Sequence, residues 1–394
     1  MTPQKSNPIW ISAAETSADI HGSQLIQAIK EYAPDISLIG MGGPEMRQQQ
    51  FKSLINSESI SAMGFTEVLS LLPRIFRIFG FIKQYFRSFN PQAVVLIDAP
   101  DFHFHIAKKA SKLNIPVFYY ISPQIWAWRK RRIHFLKKYV DKLLCILPFE
   151  KEFFAAYGLD VEFVGHPLIQ QINYPVLDTI KAQDNILGVM PGSRGKELSA
   201  LLPSFAQAAR IVSKIKPDMH WKIFQAPNID VGQIQIQWPK ELKTEIIPFN
   251  NRYVEMKTCQ LLLTASGTAS LESALLQVPA IVAYKLSKIS YIIGRCFVDV
   301  PYISMPNLIL QKKIYPEFIQ DQVTGENLAK HILFWLNNEN EIKNIGYKLK
   351  RTRSILGQNH ASRTSARIIL GELGHKINQL KEQRTNNYPG QKQF

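Results

Sequence analysis

Residues 186–213 read ILGVMPGSRGKELSALLPSFAQAARIVS. An apolar run at 186–190, without the alternation of a half-exposed strand, suits a strand buried on both faces. Pro191-Gly192-Ser193-Arg194-Gly195 then punctuates the chain, and 196–213 carries helical periodicity. Strand, glycine turn and helix in this order form the repeating unit of a parallel α/β sheet. Outward toward the N-terminus, 8–13, 37–41, 93–98, 117–120, 142–147 and 161–164 read as further buried strands. Helical patterns at 19–32 and 102–113 fall between them. Outward toward the C-terminus, strands are predicted at 221–225, 261–264 and 280–284. A polar stretch, 173–185, separates the two series.

The fold class is therefore α/β: two Rossmann-like, doubly wound domains facing each other across a cleft, with ligands beyond the carboxyl ends of the strands. The expected extents are 1–172 and 186–374, followed by a basic, mobile tail at 375–394. A chain of 394 residues is long for one core and comfortable for two. With 46% apolar and 20% charged residues, global disorder is excluded. The 47 Lys and Arg against 31 Asp and Glu leave a formal charge of +16, which draws the protein toward an anionic partner. Cys145, Cys259 and Cys296 lie far apart, so neither a disulfide framework nor a zinc site is expected, and a reduced compartment fits. The first residues hold no apolar export segment, and no apolar run reaches the length of a membrane span.

Four constellations carry chemistry. Gly192, Ser193 and Arg194 join a strand to a helix, where backbone amides, the helix dipole and a guanidinium suit a phosphate. Ser266, Gly267 and Thr268 form a second such turn, and two together favour a nucleotide diphosphate. Glu272, in the helix that follows, is suited either to ribose hydroxyls or to the helix dipole. At the end of the 93–98 strand, Asp98 and Asp101 place carboxylates at the cleft. Asp101 also reads as the cap of the helix starting at 102, which leaves Asp98 as the better general base. After the first strand, Glu15 and Ser17 reach the same cleft, while Asp19 reads as a helix cap. His21, His103, His105 and His166 form no ligand set, and neither metal nor cofactor is assigned.

Residues 71–89, LLPRIFRIFGFIKQYFRSF, gather Ile75, Ile78, Phe79, Ile82 and Phe86 on one helical face and Arg74, Arg77, Lys83 and Arg87 on the other. Two readings suit it: a core helix with a solvated cationic face, or a helix lying in an anionic bilayer surface with the aromatic face as membrane contact. WAWRKRR, residues 126–132, sets indoles beside cations again. No RNA-binding motif accompanies it, so a lipid surface is the expected partner rather than nucleic acid.

The segments IGMGGPEM (39–46), SAMGFTEVL (61–69), IDAPDF (97–102), YYISPQIWAWR (119–129), LPFEKEFF (147–154), VGHPL (164–168), PGSRGKE (191–197), ASGTASLE (265–272) and VPYISMPNLI (300–309) occur in this order. Together they resemble the bacterial lipid-A-disaccharide synthase family, over about residues 11–320. The resemblance implies a GT-B fold and a metal-independent, inverting transfer from UDP-2,3-diacylglucosamine to 2,3-diacylglucosamine 1-phosphate. The implied products are a β-1,6-linked disaccharide 1-phosphate and UDP. Carried over by position, Asp98 matches the family's proposed base, Arg194 its diphosphate-region arginine, and 266–272 its nucleotide turn. Asn307 matches a donor-site asparagine, and Glu15 and Ser17 match the first loop. Work at an anionic membrane surface, on the cytoplasmic face of the inner membrane, is implied, and a homodimer is compatible. The family's first loop has glycines where this chain has Ala14 and Ala18, so an altered loop is expected.

Overall fold

The structure, a computed structural model, describes residues 7–58, 68–127, 130–227, 229–287, 291, 300–357 and 360–375, with backbone alone for 68–72. Seven parallel strands form the first sheet: β1 (Ile9–Ala13), β2 (Leu38–Gly42), β3 (Lys52–Asn56), β4 (Ala93–Ile97), β5 (Val117–Tyr120), β6 (Lys142–Cys145) and β7 (Val161–Phe163). Their spatial order is β3-β2-β1-β4-β5-β6-β7. The second sheet has β8 (Ile186–Met190), β9 (His220–Phe224), β10 (Thr244–Ile247), β11 (Leu261–Ala265), β12 (Ala280–Tyr284) and β13 (Glu317–Ile319), ordered β10-β9-β8-β11-β12-β13. Each sheet starts in the middle, winds to one edge, then returns and winds to the other. The order reverses between β1 and β4 in one sheet and between β8 and β11 in the other.

The central strands are the buried runs that the sequence predicts. IWISA and AVVLI are buried at every position and pair in register through Ile9 and Ala93. Edge strands β3, β10 and β13 are absent from the sequence expectation. They read KSLIN, TEII and EFI, short and only half-buried, without an apolar run to announce them.

Three expectations change on packing. The sequence predicts a second domain reaching to 374, but the last helix, Ala361–Glu372, returns to the first sheet. Its Ala361, Ala366, Ile369 and Leu370 join Ile9, Ile11, Leu25 and Ile29 in one core. Arg363 pairs with Glu31 at 3.1 Å and Lys142 with Glu372 at 2.9 Å. An amphipathic stripe shows that a helix is covered on one face, not which sheet covers it.

The proposed membrane-contact face of the Val68–Phe89 helix is the second change. Phe79, Ile82 and Phe86 are 9%, 0% and 1% exposed, seated with Trp10, Val94 and Leu96, and Ile75 and Ile78 pack half-buried beside them. Each buried Ile or Phe contributes about 1.5 to 3 kcal/mol to the fold, and Ile82 and Phe86 are closed off by the sheet. The apolar groups this helix leaves to solvent are instead Phe76, Phe81 and Phe89. Third, Trp126 is buried, and its indole N–H donates to Glu150 at 2.9 Å. Burial pushes the Glu150 carboxyl up to about 7. Trp128, Arg129, Cys296, most of the 61–69 motif and the tail from 376 lie outside the described residues.

Cys145 and Cys259 are buried free thiols. Among the described residues no helix is long and apolar enough to cross a membrane.

Asp19 caps a helix, but not its own. Its buried carboxylate accepts from the amides of Gly43 (2.7 Å), Glu45 (2.9 Å) and Met46 (3.2 Å), pinning the Pro44–Gln48 helix to the Thr16–Tyr32 helix. A Cβ on Gly43 would fall 2.5 Å from that carboxylate, so glycine is required there. Asp19→Ala leaves these amides unpaired and should destabilise the fold by about 2 to 4 kcal/mol in urea denaturation; a change under about 0.5 kcal/mol would contradict this account.

Candidate active site

The predicted residues cluster at the two places where strand order reverses. At the β1/β4 switch, Glu15 and Ser17 follow β1 and Asp98 follows β4. Asp98 and Ala99 both take left-handed backbone, φ 52° and 46°. That pair turns the chain sharply from β4 into the Pro100–Ser111 helix. The turn is held through its main chain: the Asp98 carbonyl accepts from Tyr119 Oη at 2.7 Å and from His103 Nδ1 at 2.7 Å. A carbonyl only accepts, so Nδ1 carries the proton and Nε2 accepts from Ser12 Oγ, 3.0 Å away. Burial holds His103 down at about 4, so the ring stays neutral. The Asp98 carboxyl is pushed up to about 6 by burial and then by the Glu15 charge, against one favourable bond from the Ala99 amide.

Asp101 does not cap its helix, which opens at Pro100 with Ala99 in the cap position. It lies in the first turn, exposed and paired with Arg132. Ala14 and Ala18 do not alter the loop by strain, because neither has positive φ. Ala18 is fully buried, and Ala14 packs with Met41 and Ala99 beneath the Asp98 turn.

At the β8/β11 switch, Gly192 has φ 115°, and a Cβ on it would lie 2.4 Å from Glu197 Oε2. That carboxylate accepts from the Ser193 amide at 3.0 Å, so one donor expected for phosphate is held by the chain's own Glu197. The Arg194 side chain is exposed. Arg194, Glu197 and Tyr284 share one electrostatic environment, with Tyr284 raised by burial and Glu197 and lowered by Arg194.

In the second turn, Gly267 at φ 148° occupies a conformation that only glycine takes readily, and Thr268 opens the Thr268–Leu275 helix in an exposed position. Ser266 Oγ donates to the carbonyl of Ile303 at 2.8 Å, tying this turn to the 300–310 segment. Glu272 is 6% exposed, and one of its oxygens accepts from Arg252 and from Tyr253 (3.0 Å). Arg252 in turn lies 3.8 Å from the Phe249 ring centroid and 4.1 Å from that of Tyr253.

Asn307 is fully buried, and its amide is satisfied within the protein. Nδ2 donates to Tyr315 O (2.9 Å) and Glu317 Oε1 (2.8 Å), and Oδ1 accepts from the amides of Ile314 (2.8 Å) and Tyr315 (2.9 Å). It holds the loop over the second switch instead of presenting its side chain to a ligand. The sequence reading gives no role to Ser12, Tyr119, Glu197 or Glu317, and takes His103 only as one of four histidines that form no ligand set. The signals it held for them are the motifs at 119–129 and 191–197, which contain Tyr119 and Glu197. Among the described residues no cluster of His, Cys, Asp or Glu could hold a metal ion.

Two parallel α/β domains, each with its candidate site residues at a switch point, define the GT-B class of nucleotide-sugar enzymes. Solved structures agree on the fold: UDP-GlcNAc 2-epimerase from Neisseria meningitidis, bound to UDP-GlcNAc, aligns with TM-score 0.63 at 12% identity over 92% of this chain and 99% of its own. The glycotransferase of kitacinnamycin aligns with TM-score 0.61 at 12% identity over 94% and 100%. The chain itself belongs to the lipid-A-disaccharide synthetase family, whose sequence profile matches residues 9–370. Lipid-A-disaccharide synthase of Myxococcus xanthus (strain DK1622) is 34% identical over 377 residues, covering 93% of this chain and 98% of that protein. This chain is accordingly a UDP-sugar-dependent hexosyltransferase of lipid A biosynthesis.

Asn307→Ala removes four hydrogen bonds from a buried loop and should cost about 2 kcal/mol or more of stability, read as a fall in the urea midpoint. Unchanged stability with lost donor binding would instead make Asn307 a direct ligand contact.

Proposed function

We propose that this enzyme transfers the 2,3-diacylglucosaminyl group of UDP-2,3-diacylglucosamine to the 6-hydroxyl of 2,3-diacylglucosamine 1-phosphate. The observation that carries the reading is Asp98: a partly desolvated carboxylate, raised to about 6, locked at the β1/β4 switch point by a turn that three side chains hold. The acceptor oxygen attacks the anomeric carbon, and the bond from that carbon to the UDP oxygen breaks on the opposite face. The product is β-1,6-linked with inversion, and UDP leaves with the bonding electrons. Asp98 takes the hydroxyl proton. A base near 6 is ionised at neutral pH yet more basic than an ordinary aspartate, which suits it to accept a proton during attack.

At the β8/β11 switch, Arg194 and the amides of the two glycine turns stabilise the leaving diphosphate. Glu197 then yields the Ser193 amide to a phosphate oxygen. Glu272, braced by Arg252 and Tyr253, sits in the nucleotide half of the site with Ser266 and Thr268. Glu15 and Ser17 border the acceptor half, where Glu15 keeps Asp98 basic. Both substrates are acylated, so the enzyme works as a peripheral protein on the cytoplasmic face of the inner membrane, and the net charge of +16 supports that placement.

Incubating the purified chain with both substrates should yield the disaccharide 1-phosphate and UDP together by mass spectrometry, undiminished by EDTA. Asp98→Asn should lower turnover by about 100-fold or more, and wild-type turnover should fall as pH drops through about 6, where Asp98 protonates. No disaccharide from folded, donor-binding protein, or near-normal turnover in the variant, would overturn the reading.

A further inference from the structure

Away from both switch points, the Val68–Phe89 and Pro100–Ser111 helices pack side by side and leave a groove between them. Its larger cavity, about 470 Å³, is lined by Lys83 and Arg87 from the first helix and by Lys108, Lys109 and Lys112 at the end of the second. No carboxylate lines it. Among the described ion pairs none involves any of these five cations. Burial, and then the charges of Lys83, Lys108 and Lys112, push Lys109 down. Five like charges converging on one concavity repel one another; among the described residues Lys109 Nζ lies over the Phe79 ring, 5.4 Å from its centroid, and no carboxylate pairs with any of the five.

The adjoining cavity, about 330 Å³, shares Lys83, His105 and Lys109 and is otherwise lined by Ile75, Phe76, Phe79 and Gly80. Phe76 at its rim is 69% exposed. A Cβ on Gly80 would meet nothing within 4 Å, so packing does not require glycine there. Glycine in a helix interior costs about 1 kcal/mol relative to alanine, and here its effect is to keep the apolar cavity open. Phe79 is stacked on Phe102 at 5.0 Å, which leaves its face unavailable to a nucleic acid base.

We propose that this groove binds one anionic phospholipid of the bilayer, its phosphate among the five cations and the start of an acyl chain in the apolar cavity. A diffuse basic surface needs neither concavity nor an apolar annex. Two facing helices that each contribute cations to one cavity, with an apolar cavity opening directly from it, match a headgroup joined to its chain. The inference rests on the membrane reading given above and is independent of the transfer chemistry. It turns this face of the first domain toward the bilayer by the outer groove, not by the buried Ile82 and Phe86.

The test is flotation of the full chain with phosphatidylcholine vesicles, with and without about 30 mol % phosphatidylglycerol. The variants are a Lys108→Gln/Lys112→Gln pair, Gly80→Gln to fill the apolar cavity, and a Lys214→Gln/Lys240→Gln pair carrying the same charge change on the second domain. Melting curves matching the wild type establish folding for each. The wild type should bind the anionic vesicles, both groove variants should bind about tenfold or more weakly, and the remote pair should fall by less than about threefold. Equal losses in groove and remote variants would overturn the site and leave diffuse attraction or an acidic protein partner. A wild type that binds neither vesicle would overturn the membrane reading and the site with it.

Discussion

A parallel sheet that begins in its middle strand has to reverse its winding once, and at that reversal the two neighbouring connections leave on opposite faces. The crevice between them is the only place along the carboxyl edge that no crossover covers. This chain makes that reversal twice, between β1 and β4 and between β8 and β11. Everything assigned to chemistry follows from it. Glu15 and Asp98 come together because β1 and β4 are adjacent in space though some eighty residues apart in sequence. The glycine turns after β8 and β11 come together for the same reason. Left-handed, non-glycine backbone recurs at these ends, at Asp98 and Ala99 after β4 and at Ile121 after β5. For a β-branched residue such as Ile121 the conformation is a true outlier, and positions of this kind cost about 1 to 3 kcal/mol each. The surrounding pairing holds them: the Ile121 amide bonds to Leu144 O in the neighbouring strand, and the Asp98 carbonyl takes two side-chain donors.

The electrostatics of the two halves are opposite in sense. Around Asp98, charge is withdrawn: His103 is neutral, Tyr119 stays protonated, and the Glu15 carboxylate raises the base further. Such surroundings favour taking up a proton. Around β8 and β11, the chain's own acids hold the donors: Glu197 accepts from the Ser193 amide and Glu272 pairs with Arg252. On the proposed reading, those carboxylates hold donors for which a diphosphate, unlike a neutral sugar, competes. The division suits a reaction in which one side accepts a proton and the other a leaving anion.

The central strands were legible because strands buried on both faces must be apolar throughout. Edge strands were not, since half-exposed sequences such as KSLIN and TEII carry no such mark. Strand ends mark positions at the crevice, but a position does not disclose a partner. Asn307 matches a donor-site asparagine by position, yet its whole amide is taken up by Tyr315, Ile314 and Glu317. Periodicity along 71–89 correctly gathered Phe79, Ile82 and Phe86 onto one face. It could not say whether sheet or lipid covers that face, because both are apolar. The support for Asp98 was hidden for another reason: Ser12, His103 and Tyr119 lie on three separate elements, and only the sheet order brings them to one turn.

The central claim is that the fold holds Asp98 as an unusually basic carboxylate. Titration of its carboxyl carbon by nuclear magnetic resonance in the unliganded enzyme, assigned by loss of the signal in Asp98→Asn, measures this directly. The account predicts a midpoint of about 6 that moves down when Glu15→Gln removes the neighbouring charge. A midpoint near the ordinary aspartate value of about 3.9, indifferent to Glu15, would contradict it.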